Sequence, residues 1–430
     1  MSTKSPFSRR VRAFAAAAFL CAAGCNYLSI PARDDIIKRP GTGELPGAQS
    51  AYNSAVIKGN VLPSDKAQNA TAVMAWRTDP GSQGFSEQVI VNAPGGFMLY
   101  LPEGRYHLYA FTDYNQNGLF EPEEVSGVFR SKTMPGEIVI RETELICGIV
   151  IRTSAAFSQN STLPANGNIQ DPASKSRQRT HNGQILKIYS DDFSAANAQA
   201  GYWNPSAFMN TFGANIYLTQ AYDPRKIPVL FVHGTEGSPH HWIYFYMRLD
   251  HNRYQMWHFY YPTGIRLPLA AALLDDAIRD LHKKFGFQQM AIVAHSVGGL
   301  TTRSFLTRFV SDKNHAYIKL YITFATPWSG FGMADASQKI PHKSIPVWKD
   351  LGTKSAFIQQ TLDAKLPPHV RHYLFYGKND QLAGHAALDD RAVSCAVRTF
   401  GWDCSHDSIL SDRAVFAAFQ DILNRAFIFP

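Results

Sequence analysis

Residues 289–303 read QMAIVAHSVGGLTTR. MAIV is a continuous apolar run, as expected of a strand buried on both faces of a parallel sheet. Gly298 and Gly299 follow Ser296 closely. Glycines there weaken a helix, but they let helix and strand approach one another and permit a strained turn. Two readings meet at this point. Ser296 is either a nucleophile exposed on a tight strand-to-helix turn or a bystander in an ordinary β-α connection. Partners elsewhere in the chain have to decide.

The flanking sequence supplies the sheet. IPVLFVHG (residues 227–234) is a second doubly buried strand pattern. LAAALLDDAIRDLHKKFG places Leu269, Leu273, Ala277, Leu281 and Phe285 four apart and closes on Gly286, the mark of an amphipathic helix with a C-terminal stop. A helix from about Gly298 to Val310, the strands YIKLYITFATP and HYLFYG, and the helix RAVFAAFQDILNRAF continue the alternation. From residue 184 to 430 this predicts an α/β domain, a mostly parallel sheet with helices on both faces.

Ahead of it, residues 55–153 change period. AVIKGNV, TAVMAW, EQVIVN, GFMLYLP, YHLYAFTD and EIVIRETELICGIVI are short alternating segments separated by turns such as NAPGG and PEG, which predicts a small β-sandwich. GFMLYLPEGRYHLYAFTDYNQNG resembles the transthyretin-like or carboxypeptidase-regulatory modules. Residues 154–183 are polar and rich in Pro, Asn and Ser, and read as a linker.

At the start, Lys4, Arg9, Arg10 and Arg12 precede the apolar run AFAAAAFLCAAGC. A basic segment, a short apolar core and small residues describe a secretory signal, and the run is too short to span a membrane as a helix. Ala22-Ala23-Gly24-Cys25 resembles a bacterial lipobox, with Ala in place of the usual Leu three residues before the cysteine. The resemblance implies a signal over residues 1–24, lipid on Cys25, and a tether to residue 54. Asn26, where Asp typically marks inner-membrane retention, points to the outer membrane facing the periplasm. Losing the signal takes four positive charges from a net +8 and leaves about +4. That is too mild a charge for nucleic acid, and no basic stripe with interleaved aromatics exists. Of five cysteines, Cys147, Cys395 and Cys404 remain. In an oxidising compartment Cys395 and Cys404 could pair, a connectivity that sequence does not fix, and no CxxC pair suggests zinc.

Partners for Ser296 follow the sheet. HGTEGSP (residues 233–239) leaves the strand IPVLFV, at the sheet edge that carries the serine. Acyl transfer needs two N–H donors at the developing oxyanion, and the amides of Thr235 and Val297 are the natural pair. His233 is read as a brace of the loop. Asp380 ends KND just beyond HYLFYG, and His406 lies in DCSHDSIL before the last helix. This is the order Ser, acid, His found in hydrolases of this type.

YDPRKIPVLFVHGTEGSPHHW, FYYPTG, VAHSVGGLTTR, FATPWSG and LDDRAVSCAVRTFGWDCSHDSIL together resemble the lipase-like α/β-hydrolases that include the GPI inositol-deacylase-like proteins. Carried over, the resemblance implies a Ser296-His406-Asp380 triad that cleaves acyl esters of lipid-like character, with no cofactor for catalysis. Gln381 stands where the family tends to have Gly, and Asp390 in DRAVS is the rival acid. Trp328, Phe331, Met333 and Trp348 suit either an acyl-chain wall or an ordinary aromatic core. A binding or structural lipoprotein with an inactive hydrolase-like domain is the alternative function.

A last motif lies in the β-module. Asp113, Asn115, Asn117 and Glu124 fall at positions 1, 3, 5 and 12 of a calcium-type loop with Gly118 at position 6. An Asn/Gly turn closed by its own hydrogen bonds fits equally.

The lipobox reading is tested directly. Cys25→Ser is expected to leave the chain without radiolabelled palmitate and out of the membrane pellet, because the lipid supplies the anchoring apolar area. Palmitate entering the mutant would place the lipid elsewhere.

Overall fold

The computed structural model describes residues 54–64, 69–130, 136–157, 182–337 and 345–427. The signal, Cys25, the tether and residues 158–181 of the linker lie outside them.

Among the described residues, eight strands build the N-terminal module: β1 (Ser54–Pro63), β2 (Ala70–Arg77), β3 (Gly84–Asn92), β4 (Gly95–Pro102), β5 (Gly104–Thr112), β6 (Val125–Val128), β7 (Ile138–Ile140) and β8 (Leu145–Thr153). They form a three-stranded sheet, β4-β1-β8, and a five-stranded one, β3-β2-β5-β6 with β7 on β5. The two inner faces meet through Ala55, Ile57, Phe97, Leu99 and Leu101 from one sheet and Val73, Ala75, Leu108 and Ala110 from the other. The segment EIVIRETELICGIVI is two strands, not one. It breaks at Arg141–Glu144, where Thr143 takes a positive φ of 61°.

Strand β4 explains the docking of the module. Its side chains alternate, as any strand's must. Phe97, Leu99 and Leu101 fill the sandwich, whereas Met98 and Tyr100 join the core of the following domain, as Val56 of β1 does. The unbroken apolar run GFMLYLP is therefore apolar on both faces because both are covered. Polar contacts frame the seam. Lys58 lies 2.5 Å from Asp276 and 2.7 Å from Asp280, and Glu87 accepts from Ser206 at 2.6 Å and Asn210 at 3.0 Å. Glu142, on the turn between β7 and β8, pairs with Arg266 and Lys349.

The second domain opens with α1 (Ala195–Trp203) and α2 (Pro205–Phe212). Its strands are β9 (Asn215–Leu218), β10 (Ile227–Val232), β11 (Tyr254–Tyr260), β12 (Met290–His295), β13 (Ile318–Phe324), β14 (Arg371–Gly377) and β15 (Arg398–Trp402). The remaining helices are α3 (Ile243–Tyr246), α4 (Leu267–Phe285), α5 (Val297–Phe309), α6 (Gly332–Ser337), α7 (Trp348–Leu351), α8 (Ala356–Asp363), α9 (Asp390–Ser394) and α10 (Arg413–Ala426). The sheet runs β15-β14-β13-β12-β10-β11-β9, parallel except for the antiparallel edge strand β9.

Burial on both faces accounts for the MAIV pattern. Met290, Ile292 and Ala294 pack towards α4 and α5, and Ala291 and Val293 pack towards α3 and α10. Gly286 closes α4 at φ 64° as a left-handed cap. Strand order reverses at β10, which has β11 on one side and β12 on the other. In open α/β sheets the crevice at such a reversal is where ligands bind.

Because Val56, Met98 and Tyr100 share a core with the second domain, the two parts are expected to unfold together. Scanning calorimetry of residues 54–430 should give one transition whose calorimetric and van't Hoff enthalpies agree. Two separated transitions would contradict the shared core.

Candidate active site

Ser296 occupies the turn between β12 and α5 with φ 53° and ψ −132°, a backbone region costly for any residue with a Cβ. Its N–H donates to the Phe324 carbonyl at 2.9 Å, and its carbonyl accepts from Gly299 at 2.9 Å. The nearby glycines keep the space clear. A Cβ on Gly298 would sit 2.6 Å from the His233 carbonyl oxygen, and one on Gly234 would sit 2.6 Å from the Ser296 Cβ. The bend that a plain connection would not need is built here, and it lifts Oγ out at the carboxyl edge of the sheet.

His406 lies beyond β15, and Asp380 beyond β14. Ser296 Oγ is 2.9 Å from His406 Nε2, and His406 Nδ1 is 2.8 Å from Asp380 Oδ2. A carboxylate accepts, so Nδ1 carries the proton and Nε2 is left to accept from the serine. The other oxygen of Asp380 accepts the amides of Leu382 and Ala383, each at 2.8 Å. Burial works to raise the Asp380 carboxyl. The hydrogen bond and charge of His406, with those two amides, outweigh it and hold the group below the usual carboxylate range. All three side chains are at least nine-tenths buried.

The loop after β10 completes the constellation. Val232 lies opposite Ala294 in register, so His233 and Gly234 run beside His295 and Ser296. Val297 is the first residue of α5, where an amide has no partner within the helix. Thr235 lies on the loop across from it. Burial pushes His233 down to about 3, its Nδ1 donates to the Gly234 carbonyl at 3.0 Å, and its ring stacks on Tyr261. It is a neutral brace.

One contributor escaped the sequence reading. His295 is buried, and burial, followed by the neighbouring His406, holds it well below the ordinary imidazole value. Its Nε2 donates to the backbone carbonyl of His406 at 2.9 Å. The signal was adjacency alone, since His295 precedes Ser296. Ring nitrogens of His295 and His406 and the Asp407 carboxylate lie within 4.8 Å of one another, close enough to suit a metal. The nitrogens of His406 are already engaged by Ser296 and Asp380.

Other sequence candidates separate from this centre. Asp390 is exposed on the first turn of α9. Trp328 is fully buried in the core under the sheet, whereas Trp348 and Phe331 pack at its margin. The Met333 side chain lies outside the described ones. Cys147, Cys395 and Cys404 are free thiols, so the 395–404 pairing is not made. Cys395 ends α9 facing Arg303, while Cys404 is buried beyond β15. In the β-module, Asp113 accepts the amides of Asn117 and Gly118, and Glu124 accepts those of Tyr114, Asn115 and Glu121. Asn115 and Asn117 cap the next turn in the same way.

A parallel sheet with this strand order, a serine elbow after β12, and acid and histidine after β14 and β15 make an α/β-hydrolase fold. Residues 266–391 match a family model described as an alpha/beta hydrolase of unknown function. Among solved structures, the chain is similar to a Bacillus licheniformis lipase in mature form, with 22% identity, 47% of this chain and 94% of that one covered, and a TM-score of 0.38. It is also similar to a carboxylesterase of the thaumarchaeon Nitrososphaera gargenis, at 12% identity, 50% and 95% coverage and TM-score 0.37. Aspergillus fumigatus lipase B is similar at 16% identity, 49% and 56% coverage and TM-score 0.40. No curated protein matches the chain in sequence.

The two carboxylates are distinguished by one pair of variants. Asp380→Asn is expected to lower ester turnover by up to about 10⁴-fold, because an amide favours the wrong imidazole tautomer. Asp390→Asn should stay near wild type, with folding checked by circular dichroism. The reverse ranking would transfer the acid role to Asp390.

Proposed function

We propose that this α/β-hydrolase chain is a serine hydrolase that cleaves carboxylic acyl esters of lipid-like character at the bacterial cell envelope. The observation that carries the reading is the chain of hydrogen bonds Ser296–His406–Asp380, at 2.9 and 2.8 Å, on a serine held at positive φ. A binding lipoprotein with an inactive domain has no use for that strained backbone.

The chemistry follows from the side chains. His406 Nε2 takes the proton of Ser296 as Oγ attacks the ester carbonyl. The new oxyanion is met by the amides of Thr235 and Val297, donors of a type worth roughly 3 kcal/mol of barrier each. The intermediate collapses, the C–O bond to the alcohol breaks, and His406 returns its proton to the leaving oxygen. Water then attacks the acyl-enzyme with His406 as base, releasing the acid and restoring Oγ–H. Asp380 stays ionised throughout, fixing the Nδ1–H tautomer and stabilising the imidazolium. No step calls for a metal or a cofactor. The loop from Asp113 to Glu124 we take as closed by its own hydrogen bonds, on the strength of the amides its carboxylates accept.

Lipid on Cys25 would hold the enzyme at a membrane, where acyl esters are at hand. Support for that location comes from the N-terminal sequence alone.

Ser296→Ala is expected to abolish hydrolysis of p-nitrophenyl butyrate while the protein folds normally, because no acyl-enzyme can form without Oγ. Wild-type turnover in the folded mutant would end the assignment.

A further inference from the structure

The loop that carries the Thr235 amide has an unusual residue beside it. Gly237 donates to the Gly234 carbonyl at 3.0 Å, closing a turn whose two middle residues are Thr235 and Glu236. Glu236 has φ 49°, in the left-handed region where glycine is the undemanding choice. Such a conformation persists at a residue with a Cβ only when its surroundings over-determine it.

Two contacts do so. Glu236 Oε1 accepts the indole N–H of Trp203 at 2.6 Å, and the Glu236 amide donates to Thr263 Oγ1 at 3.2 Å. Trp203 is itself fixed. It is the last residue of α1 and is buried, with its ring edge-on to Tyr202 at 5.0 Å and to Trp348 at 6.2 Å. Trp348 donates in turn to the Tyr202 hydroxyl at 2.6 Å. The indole therefore reaches the loop from a rigid aromatic cluster and not from a mobile side chain.

We propose that Trp203 and Glu236 are positioning residues for the oxyanion hole. The indole–carboxylate hydrogen bond holds the 234–237 turn in its left-handed form, and the turn sets the direction of the Thr235 N–H. The inference rests on the acyl-ester hydrolase reading above and adds to it the element that aims one of the two donors. Neither side chain touches the reacting atoms. Their effect is on the transition state, where the oxygen becomes an anion, and far less on the bound ester, where it is a carbonyl.

Steady-state kinetics on p-nitrophenyl butyrate tests this with four variants of the full chain. Trp203→Phe keeps the ring and removes the N–H. It is expected to lower kcat by about 10- to 100-fold, the effect of a small misplacement, with KM within about twofold. Glu236→Gln keeps an acceptor and should stay within about threefold of wild-type kcat, whereas Glu236→Ala should fall with Trp203→Phe. The deciding variant is Trp203→Phe combined with Glu236→Gly. Glycine needs no clamp to hold a positive φ, so the double variant should recover at least about fivefold in kcat over Trp203→Phe. A residue that merely supported the fold would give no such rescue, since glycine adds backbone freedom. Wild-type kcat in Trp203→Phe, or no recovery in the double variant, overturns the clamp and leaves the hydrolase reading standing. If Trp203→Phe does not fold, Glu236→Gln and Glu236→Ala decide alone, and equal kcat in the two overturns it. A wild type without ester turnover overturns the hydrolase reading, and the clamp with it.

Discussion

The close approach of the β10 loop to the first turn of α5 is the constraint on which the site depends. Gly298 meets the carbonyls of Val232 and His233, and Gly234 meets the Ser296 Cβ, so no side chain can stand at either position without moving backbone. That contact fixes two things at once. It holds Ser296 at a positive φ whose cost is on the order of 1–3 kcal/mol. It also sets Gly234, and with it the loop that continues to Thr235, against Ser296. Sheet register does the rest, delivering Asp380 and His406 from β14 and β15 to the edge where Oγ emerges.

Much of this was legible because the signals are local. A strand buried on both faces has to be apolar at every position, and IPVLFV and MAIV are. The spacing of four from Leu269 to Phe285, with Gly286 after it, defines a helix without help from the rest of the chain. Ser296 and Asp380 each follow a strand that could be recognised and His406 precedes a recognisable helix, which is why three residues so far apart in sequence could be named together. The elements that were missed lack such signals. Strand β9 is four residues at a sheet edge, β15 mixes Arg398 and Gly401 into a half-exposed edge, and α1 has no apolar stripe. His295 and Glu236 were missed for another reason. Their roles depend on a carbonyl 111 residues away and an indole 33 residues away, which no spacing rule reports.

The β-module is more than an appendage on a tether. Its outer face contributes Val56, Met98 and Tyr100 to the hydrolase core, and Glu87 holds α2, which follows directly on the helix carrying Trp203. Glu142 pairs with Arg266, whose guanidinium grips Asp350 near the end of α7 at 2.7 and 2.9 Å. The module thus backs both segments that supply the aromatic cluster behind the 234–237 turn. Burying Met98 alone is worth roughly 1.5–3 kcal/mol, more than a single half-exposed ion pair at the seam such as Lys58–Asp280 contributes.

The central claim is that Ser296, activated by His406, is a nucleophile. Its most direct measurement is peptide mapping by mass spectrometry after reaction of the folded protein with a fluorophosphonate. The expected result is a single phosphonyl adduct on the peptide containing Ser296, abolished by denaturing the protein first, since the free serine lacks its base and its oxyanion donors. An unlabelled Ser296 in folded, untreated protein, or an adduct on another serine, would contradict it.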